Sequence, residues 1–551
     1  MKNTARAESG GVSRRDVLKV SGATLGGMAV GGATAGTATA ATARTTPGTT
    51  TGAATGTTTG TTTGAGSAGT PAPPEAQHCD ENGCHYPVDP RSTQRYSYPD
   101  RLKKFTPDMR ADLHDDEMRI TFLGTAFPTS PGRRAQQLMS IFVEVGPWLP
   151  DPDGGFGKAT DSFVFDCGAG VIANYGAMGI SLGRMDKIFL THLHGDHISD
   201  LTPIYCFGPA YDRHTPLYVW GQGRSGVVNP KGSPKYYKDG LNDFCGHFRE
   251  AMRWHTESFS FLPTGYPGYD IPTQQDWQTP VPLRPVGDDA AKDGYGLVPV
   301  ELDWRITGLD ADGNPNYENI AYRNNGVTVT HFPVIHDRKG SMGYKLEWNG
   351  LSMIYTGDTR PETISVKHAH NGGKGVNVFI HEMILPPELL AMKNMGLTFP
   401  DYSVPGFKTL VEGAAAVEAS SHTPQGAFGY LLSQIDPHPD LSVIAHFPVA
   451  DDTVRCAMNS VRNHFPEGRG PKFGKDIVWS TDLMVLKVKK GEHGRPPKIE
   501  QLIGDVSDYT FAAPGNVSSP LSKPKYPSPT AQLDTTNLIR PGANTYCANG
   551  Y

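Results

Sequence analysis

The chain has 551 residues, 37% of them hydrophobic, with 64 Gly, 46 Pro and a formal net charge of -6. That length with so much Gly and Pro predicts a loop-rich globular body carrying low-complexity extensions. The acidic balance lacks the basic footprint of a protein built to grip nucleic acid, although a local patch can hide in a fold, and no apolar run nears the ~20 residues that span a bilayer.

Ser13 to Lys19 (SRRDVLK) matches the twin-arginine export pattern, and the weakly apolar Val20 to Ala41 follows it with a small-residue cleavage site at Ala38-Thr39-Ala40. Residues 1–41 are therefore expected to be a signal peptide. Its partner would be the Tat export machinery, and the product would lie in the periplasm, at the cell surface or outside. Residues 42–74 are almost all Thr, Gly, Ala and Pro, a composition that buries too little apolar surface to order and so predicts a flexible linker. Residues 75–117 form an N-terminal extension in which Cys79 and Cys84 are expected to pair, as suits an exported protein. The other five cysteines, Cys167, Cys206, Cys245, Cys456 and Cys547, are scattered, and an odd total leaves at least one thiol unpaired.

A globular body is expected over 118–511. Its strands are Arg119 to Gly124, Gln137 to Val145 and Ser162 to Asp166, then, after a helical Val171 to Met178, the run into Phe189. Strand Leu217 to Trp220 and helical Leu241 to Trp254 follow. About 263–325 is rich in Pro, Gly and Asp and predicts a partly ordered insertion at the rim. Strands resume at Gly326 to Pro333, Gly343 to Trp348 and Leu351 to Thr356, the last two joined by the hairpin signal Asn349-Gly350. Asn377 to His381, a helix at Gln425 to Gln434, Leu441 to Phe447 and one strand over Asp476 to Lys487 complete the body, and 512–551 is an irregular tail. Two runs of strands with helices between them predict an α/β protein of two sheets sandwiched by helices.

The chemistry gathers at Lys187 to Leu201, KIFLTHLHGDHISDL. A short apolar strand delivers His192, His194, Asp196 and His197 within six residues. His192 and His194 are two apart, so in an extended segment they point the same way. The Gly195 turn can aim Asp196 and His197 at a second point. Imidazole and carboxylate are ligands of zinc and similar ions, and two ligand pairs predict two divalent metals. Further ligands are expected past later strands, where loops meet at a sheet edge. His336, Asp358 and His446 stand in those places, with His331 as a competitor for His336.

In this order FLGT at Phe122 to Thr125, DCGAG at Asp166 to Gly170, THLHGDH at Thr191 to His197 and TGDT at Thr356 to Thr359 resemble the metallo-β-lactamase superfamily, in its ribonuclease Z-like and arylsulfatase-like branch. The resemblance runs from about Arg119 to Leu486. It implies a four-layer αβ/βα sandwich with the metals at the sheet edges. It also implies that His192, His194 and His336 hold one ion and Asp196, His197 and His446 the other, with Asp358 bridging. His336 is preferred to His331 because it precedes GSMGY at the spacing this branch uses. His381-Glu382-Met383 and Ser421 to Ala427 resemble two further segments of the ribonuclease Z-like branch, which implies His422 as proton donor and Glu382 as its partner. Met383 and Pro424 depart from that pattern.

The expected catalytic set is thus Asp196, His422 and Glu382, acting with a hydroxide bridging two metals, zinc by ligand type. In ribonuclease Z the tRNA-gripping arm lies between the Gly-Tyr strand and the bridging aspartate, where this chain has only the Asn349-Gly350 turn. That turn, the acidic charge and the export signal favour a small-molecule phosphodiester or sulfate ester as substrate, with nucleic acid not expected as a partner. The alternatives are a ribonuclease Z-like RNA endonuclease, a lactonase-type hydrolase and, last, a non-catalytic metal-binding surface protein. No transmembrane anchor is expected, and a homodimer is left open.

Overall fold

The structure, a computed structural model, describes residues 78–80, 83–85, 113–128, 136–150, 158–211, 213–260, 292–449, 453–454, 457, 461, 476–491 and 496–503. The expected signal peptide, linker and C-terminal tail lie outside the described residues. Of the N-terminal extension, β1 (His78–Asp80) and β2 (Gly83–His85) pair antiparallel, and their register sets Cys79 opposite Cys84.

Eight strands make the first large sheet. They are β3 (Glu117–Gly124), β4 (Ser140–Leu149), β5 (Lys158–Phe165), β6 (Lys187–Phe189), β7 (Leu217–Gln222), β8 (Leu297–Leu302), β16 (Met484–Lys489) and β17 (Lys498–Ile503), in the order 17-16-3-4-5-6-7-8. Seven strands make the second: β9 (Ile320–Asn324), β10 (Val327–Pro333), β11 (Met342–Trp348), β12 (Leu351–Tyr355), β13 (Val378–Glu382), β14 (Leu441–Ala445) and β15 (Ile477–Trp479), in the order 15-14-13-12-11-10-9.

Side chains alternate across each strand with period two, and here both faces are covered. Ile120 and Phe122 of β3, Phe163 and Phe165 of β5, and Phe189 of β6 face Met353 and Tyr355 of β12 and Val443 of β14 in one core between the sheets. Leu123, Val164, Ile188 and Val219 point the other way, onto α1 (Val171–Ala177), α3 (Leu201–Phe207) and α4 (Leu241–Ser260). Ile354, Phe379 and Ile444 pack on α5 (Thr363–His370), α6 (Pro387–Met395) and α8 (Gln425–Ser433). The result is the expected four-layer sandwich.

Two expectations need correction. The insertion over 263–325 is not only a rim: β8 extends the first sheet in parallel with β7, and β9 forms the edge of the second against β10. Their Pro- and Gly-rich surroundings and half-exposed faces hid the strand alternation. The single strand expected over Asp476 to Lys487 is two, β15 in one sheet and β16 in the other. The chain switches sheets at Thr481-Asp482-Leu483, where Leu483 takes φ 68 and Asp482 accepts hydrogen bonds from Thr125 Oγ1 (2.8 Å) and Gln137 N (2.7 Å).

The parallel strands β5 to β8 and β12 to β15 end at one edge, where loops of α/β sheets build their sites. His331, the competitor for His336, is instead buried within β10 opposite Tyr344, and burial lowers it to about 4. Burial likewise lowers His381 to about 4 and His368 to about 3. These rings are neutral in the fold and protonate in the unfolded chain below about 6.5, so the unfolded state binds more protons as pH falls. Stability is therefore full above pH 6.5 and falls toward pH 4, by roughly 2 kcal/mol per ring at pH 5. Urea midpoints at pH 7.5 and pH 5 check this, and His331→Gln should make the decline shallower.

Candidate metal centre

Strand β6 runs out at Phe189, and the chain bends at Thr191 before α2 (Gly195–Ile198) begins. His194 is the N-cap of that one-turn helix, with φ -72 and ψ 152. The change to helical backbone brings Asp196 and His197 into a second group with Asp358 and His446, while the His192 and His197 rings stay 4.1 Å apart, centroid to centroid. His336 comes from the loop after β10, Asp358 from the loop after β12, and His446 from the first position after β14, where it takes φ 54.

The structure brings all seven expected ligands together as two groups. His192 Nε2 lies 2.9 Å from His194 Nδ1, and His336 Nε2 lies 3.1 Å from the same atom. Three ring nitrogens on a tetrahedral zinc at ~2.0–2.1 Å would sit roughly 3.3 Å apart. The second group is Asp196, His197, Asp358 and His446, whose ligand atoms all fall within 4.8 Å of one another. His197 Nε2 and His446 Nε2 are each 3.3 Å from Asp358 Oδ2, which is also 3.9 Å from His336 Nε2. Asp358 thus stands between the groups, as a bridging ligand must.

Three of the five rings are turned by a partner behind them. His336 Nδ1 donates to Ser421 O at 2.9 Å, which leaves Nε2 as the lone-pair nitrogen. His192 Nδ1 is 3.1 Å from Thr191 Oγ1. His197 Nδ1 donates to Asp166 Oδ2 at 2.7 Å. Asp166, fully buried after β5, also accepts from Thr191 N, Thr191 Oγ1 and Tyr355 OH, each at 2.8 Å. Sequence reasoning quoted Asp166 only as part of a motif and gave it no task. A carboxylate ending a buried strand was the available signal, but its donors come from two segments distant in the chain, the loop after β6 and the end of β12.

The electrostatics fit cations. Burial lowers His192 and His194 and takes His336 to about 3, so all three are neutral donors as metal binding requires. At His197 burial works downward, but Asp358, Asp196 and Asp166 outweigh it and push the ring well up, so that this pocket selects positive charge. Burial raises Asp196 and Asp358, yet the surrounding imidazoles hold both low and ionised. His197 Nε2 and Asp358 Oδ1 are buried and have no hydrogen-bond partner among the described residues. A divalent ion at each group would satisfy both atoms, and the residues therefore fit two metals.

Beside the ligands, His422 Nδ1 donates to both carboxylate oxygens of Glu382 at 2.9 Å. Glu382 Oε1 also accepts Thr359 N at 2.5 Å. The His422 ring lies edge-on to His336, centroids 5.0 Å apart, and stacks on His446 at 5.5 Å. Burial lowers and Glu382 raises the imidazole, which ends at about 9 and so is charged near neutrality. His422 also lies within ligand reach of His336 and Asp358. Its Nδ1 is committed to Glu382, so only Nε2 faces the metal pocket.

Clustered imidazoles and carboxylates fit for metal at the edge of a four-layer sandwich, with a charged imidazole beside them, define a metal-dependent hydrolase. Residues 157–205 match the family model of the metallo-beta-lactamase superfamily. A protein described as ribonuclease Z from Mycolicibacterium gilvum is 24% identical over 278 residues, 50% of this chain and 73% of that one. Another ribonuclease Z, from Halalkalibacterium halodurans, is 28% identical over 229 residues, 40% of this chain and 64% of that one. The zinc phosphodiesterase ELAC protein 1 of Bos taurus is 38% identical over 91 residues, 16% of this chain and 20% of its own length. Over residues 157–205 the chain thus carries the pattern of the metallo-β-lactamase superfamily, and over a longer stretch it is similar to proteins named ribonuclease Z.

Because Asp166 orients His197, Asp166→Asn should weaken one ion selectively, by about 10- to 100-fold. Metal analysis after dialysis should find close to one ion per chain, held by His192, His194 and His336. Two tightly held ions in that variant would remove Asp166 from this role.

Proposed function

We propose that the chain is a phosphodiesterase of the ribonuclease Z type, cleaving RNA at a two-metal centre. The observation that carries this is the Glu382–His422 pair, set 2.9 Å apart and packed against ligands His336 and His446. A carbonyl hydrolase has less need of a second, charged proton donor beside its metals. The relatives named ribonuclease Z shift the balance from the small ester expected from the short turn, the acidic charge and the export signal toward RNA, and they weigh against the expectation that nucleic acid is no partner.

His192, His194 and His336 would hold one ion, and Asp196, His197 and His446 the other, with Asp358 shared. When bound, the two ions supply Lewis acidity and an acidified water at neutral pH. The chain's own residues do the rest. Asp196, largely buried in the second group and held ionised, accepts a hydrogen bond that orients the attacking water. Asp358, buried between the groups and held ionised, would be shared by both ions. His422 donates from Nε2 to the leaving oxygen, and Glu382 keeps the ring turned and charged for that step. Such a donor contributes ~10²–10⁴-fold in rate.

A small phosphodiester is the second reading, favoured by one feature. β11 and β12 are joined by a two-residue turn at Asn349-Gly350, so the segment between Tyr344 and Asp358 carries no arm for a folded RNA. Export belongs to the proposal too: Arg14-Arg15 would send the enzyme to RNA outside the cytoplasm. Replacing both by Lys should retain the protein in the cytoplasm, read by fractionation and immunoblot.

The metal-loaded enzyme should hydrolyse bis(p-nitrophenyl) phosphate and a single-stranded RNA, faster than an aryl sulfate or a lactone, and lose activity with a chelator. Esters left intact with two ions bound would end the hydrolase reading. His422→Ala should lower kcat by about 10²–10⁴-fold at unchanged metal content. Metal lost along with activity would make His422 a ligand instead.

A further inference from the structure

The loop between β7 and α4, residues 223–240, folds back on itself as a hairpin. Val228 bridges Tyr236 antiparallel, Asn229 N donates to Lys235 O at 2.8 Å, and Tyr237 N donates to Val227 O at 3.1 Å. At its tip Gly232 N donates to Asn229 O at 2.8 Å, and Pro230 and Pro234 restrict the turn. Each arm of about five residues reaches roughly 15 Å.

Its base is tied to the metal edge. β6 and β7 are parallel neighbours, so the chain leaves β7 at Gln222 on the side where it leaves β6 toward His192. Arg338, two residues beyond ligand His336, pairs with Asp239 at 2.6 Å and lies over the Tyr237 ring at 5.3 Å. Asp239 in turn accepts Ser225 Oγ at 2.6 Å and Ser225 N at 3.0 Å across the hairpin base. The base is therefore clamped, while the tip stands free of it.

The charge is unlike that of the chain as a whole. Residues 223–240 hold Arg224, Lys231, Lys235 and Lys238 against the single carboxylate Asp239, in a protein of net charge -6. Asp239 is taken by Arg338, and Arg224 by Asp243 at 2.7 Å. Lys231, Lys235 and Lys238 are exposed, as are Val228 (43%) and Tyr237 (39%), with Tyr236 half-buried between them. Cations spaced along a ribbon with tyrosines among them suit a single nucleic-acid strand, whose phosphates take the charges and whose bases stack on the rings.

The geometry points to this hairpin as an RNA-strand arm, which leads a single-stranded substrate across the edge to the metal centre. It rests on the phosphodiesterase reading for its purpose, but its binding is measured without cleavage. The test uses the metal-loaded protein, wild type and with Lys231, Lys235 and Lys238 all changed to Gln. Fluorescence anisotropy reads binding of a phosphorothioate 20-mer RNA, and bis(p-nitrophenyl) phosphate reads chemistry. The variant should bind the RNA about tenfold more weakly or worse at low salt. Its slope of log affinity against log salt should shrink by about 2, the value for three phosphate contacts on a single strand. Turnover of the small diester should stay at the wild-type value. RNA binding as tight in the variant, or none in the wild type, overturns the arm and leaves the small-diester chemistry standing. Wild-type protein that binds RNA through these lysines but cleaves no diester would instead sink the function and keep the arm.

Discussion

A carboxylate taken wholly out of water has to find hydrogen bonds to replace those it loses, and Asp166 finds four. Its donors come from the backbone and hydroxyl of Thr191, from His197 Nδ1 and from the hydroxyl of Tyr355. Thr191 and His197 belong to the loop after β6 in one sheet, and Tyr355 ends β12 in the other. One buried group therefore holds the two sheets in register at the edge where the metals would lie. It also sets which nitrogen of His197 faces the centre. Removing the charge would leave buried donors unmatched, a loss that falls on the site as well as on the fold.

The ligand cluster follows the same logic with the signs mixed. Asp166, Asp196 and Asp358 surround His197, while burial keeps His192, His194 and His336 neutral. Such an arrangement is poorly satisfied by protons alone, since ring nitrogens at 2.9 and 3.1 Å compete for one proton between them. Divalent ions held by these residues would resolve the competition. The Glu382–His422 pair stands apart from this economy because its carboxylate is matched to its imidazole directly, which leaves a charged ring available to a substrate.

Around the centre, the fold spends its variation on loops. The β11–β12 connection is cut to a two-residue turn, whereas the β7–α4 connection is extended into a basic hairpin braced by Arg338. Between Glu382 and His422 the chain detours through α6 and α7 (Phe407–Ser421), whose contacts with each other include a small core of Ala391, Met392, Phe407 and Val411. That detour ends at Ser421, so one helix terminus positions both His336, through its carbonyl, and His422, the next residue.

Much of the centre was legible in the sequence because its ligands follow short apolar strands, a local pattern. His192, His194, Asp196 and His197 carry their spacing with them, and His336, Asp358 and His446 each follow a strand. The alternation of apolar residues likewise indicated layered sheets. What local pattern could not carry was pairing between distant segments. The switch of sheets at Leu483, the strands β8 and β9 inside a Pro- and Gly-rich stretch, and the four donors on Asp166 depend on neighbours far away in the chain. The charge of residues 223–240 was equally present in the sequence, but it gains meaning only from standing at the metal edge. Residue types and spacings by themselves determined the ligand chemistry of this protein. Only the tertiary structure decided which buried groups orient those ligands and which surface lies beside them, because both arise from contacts between sheets and not within a strand.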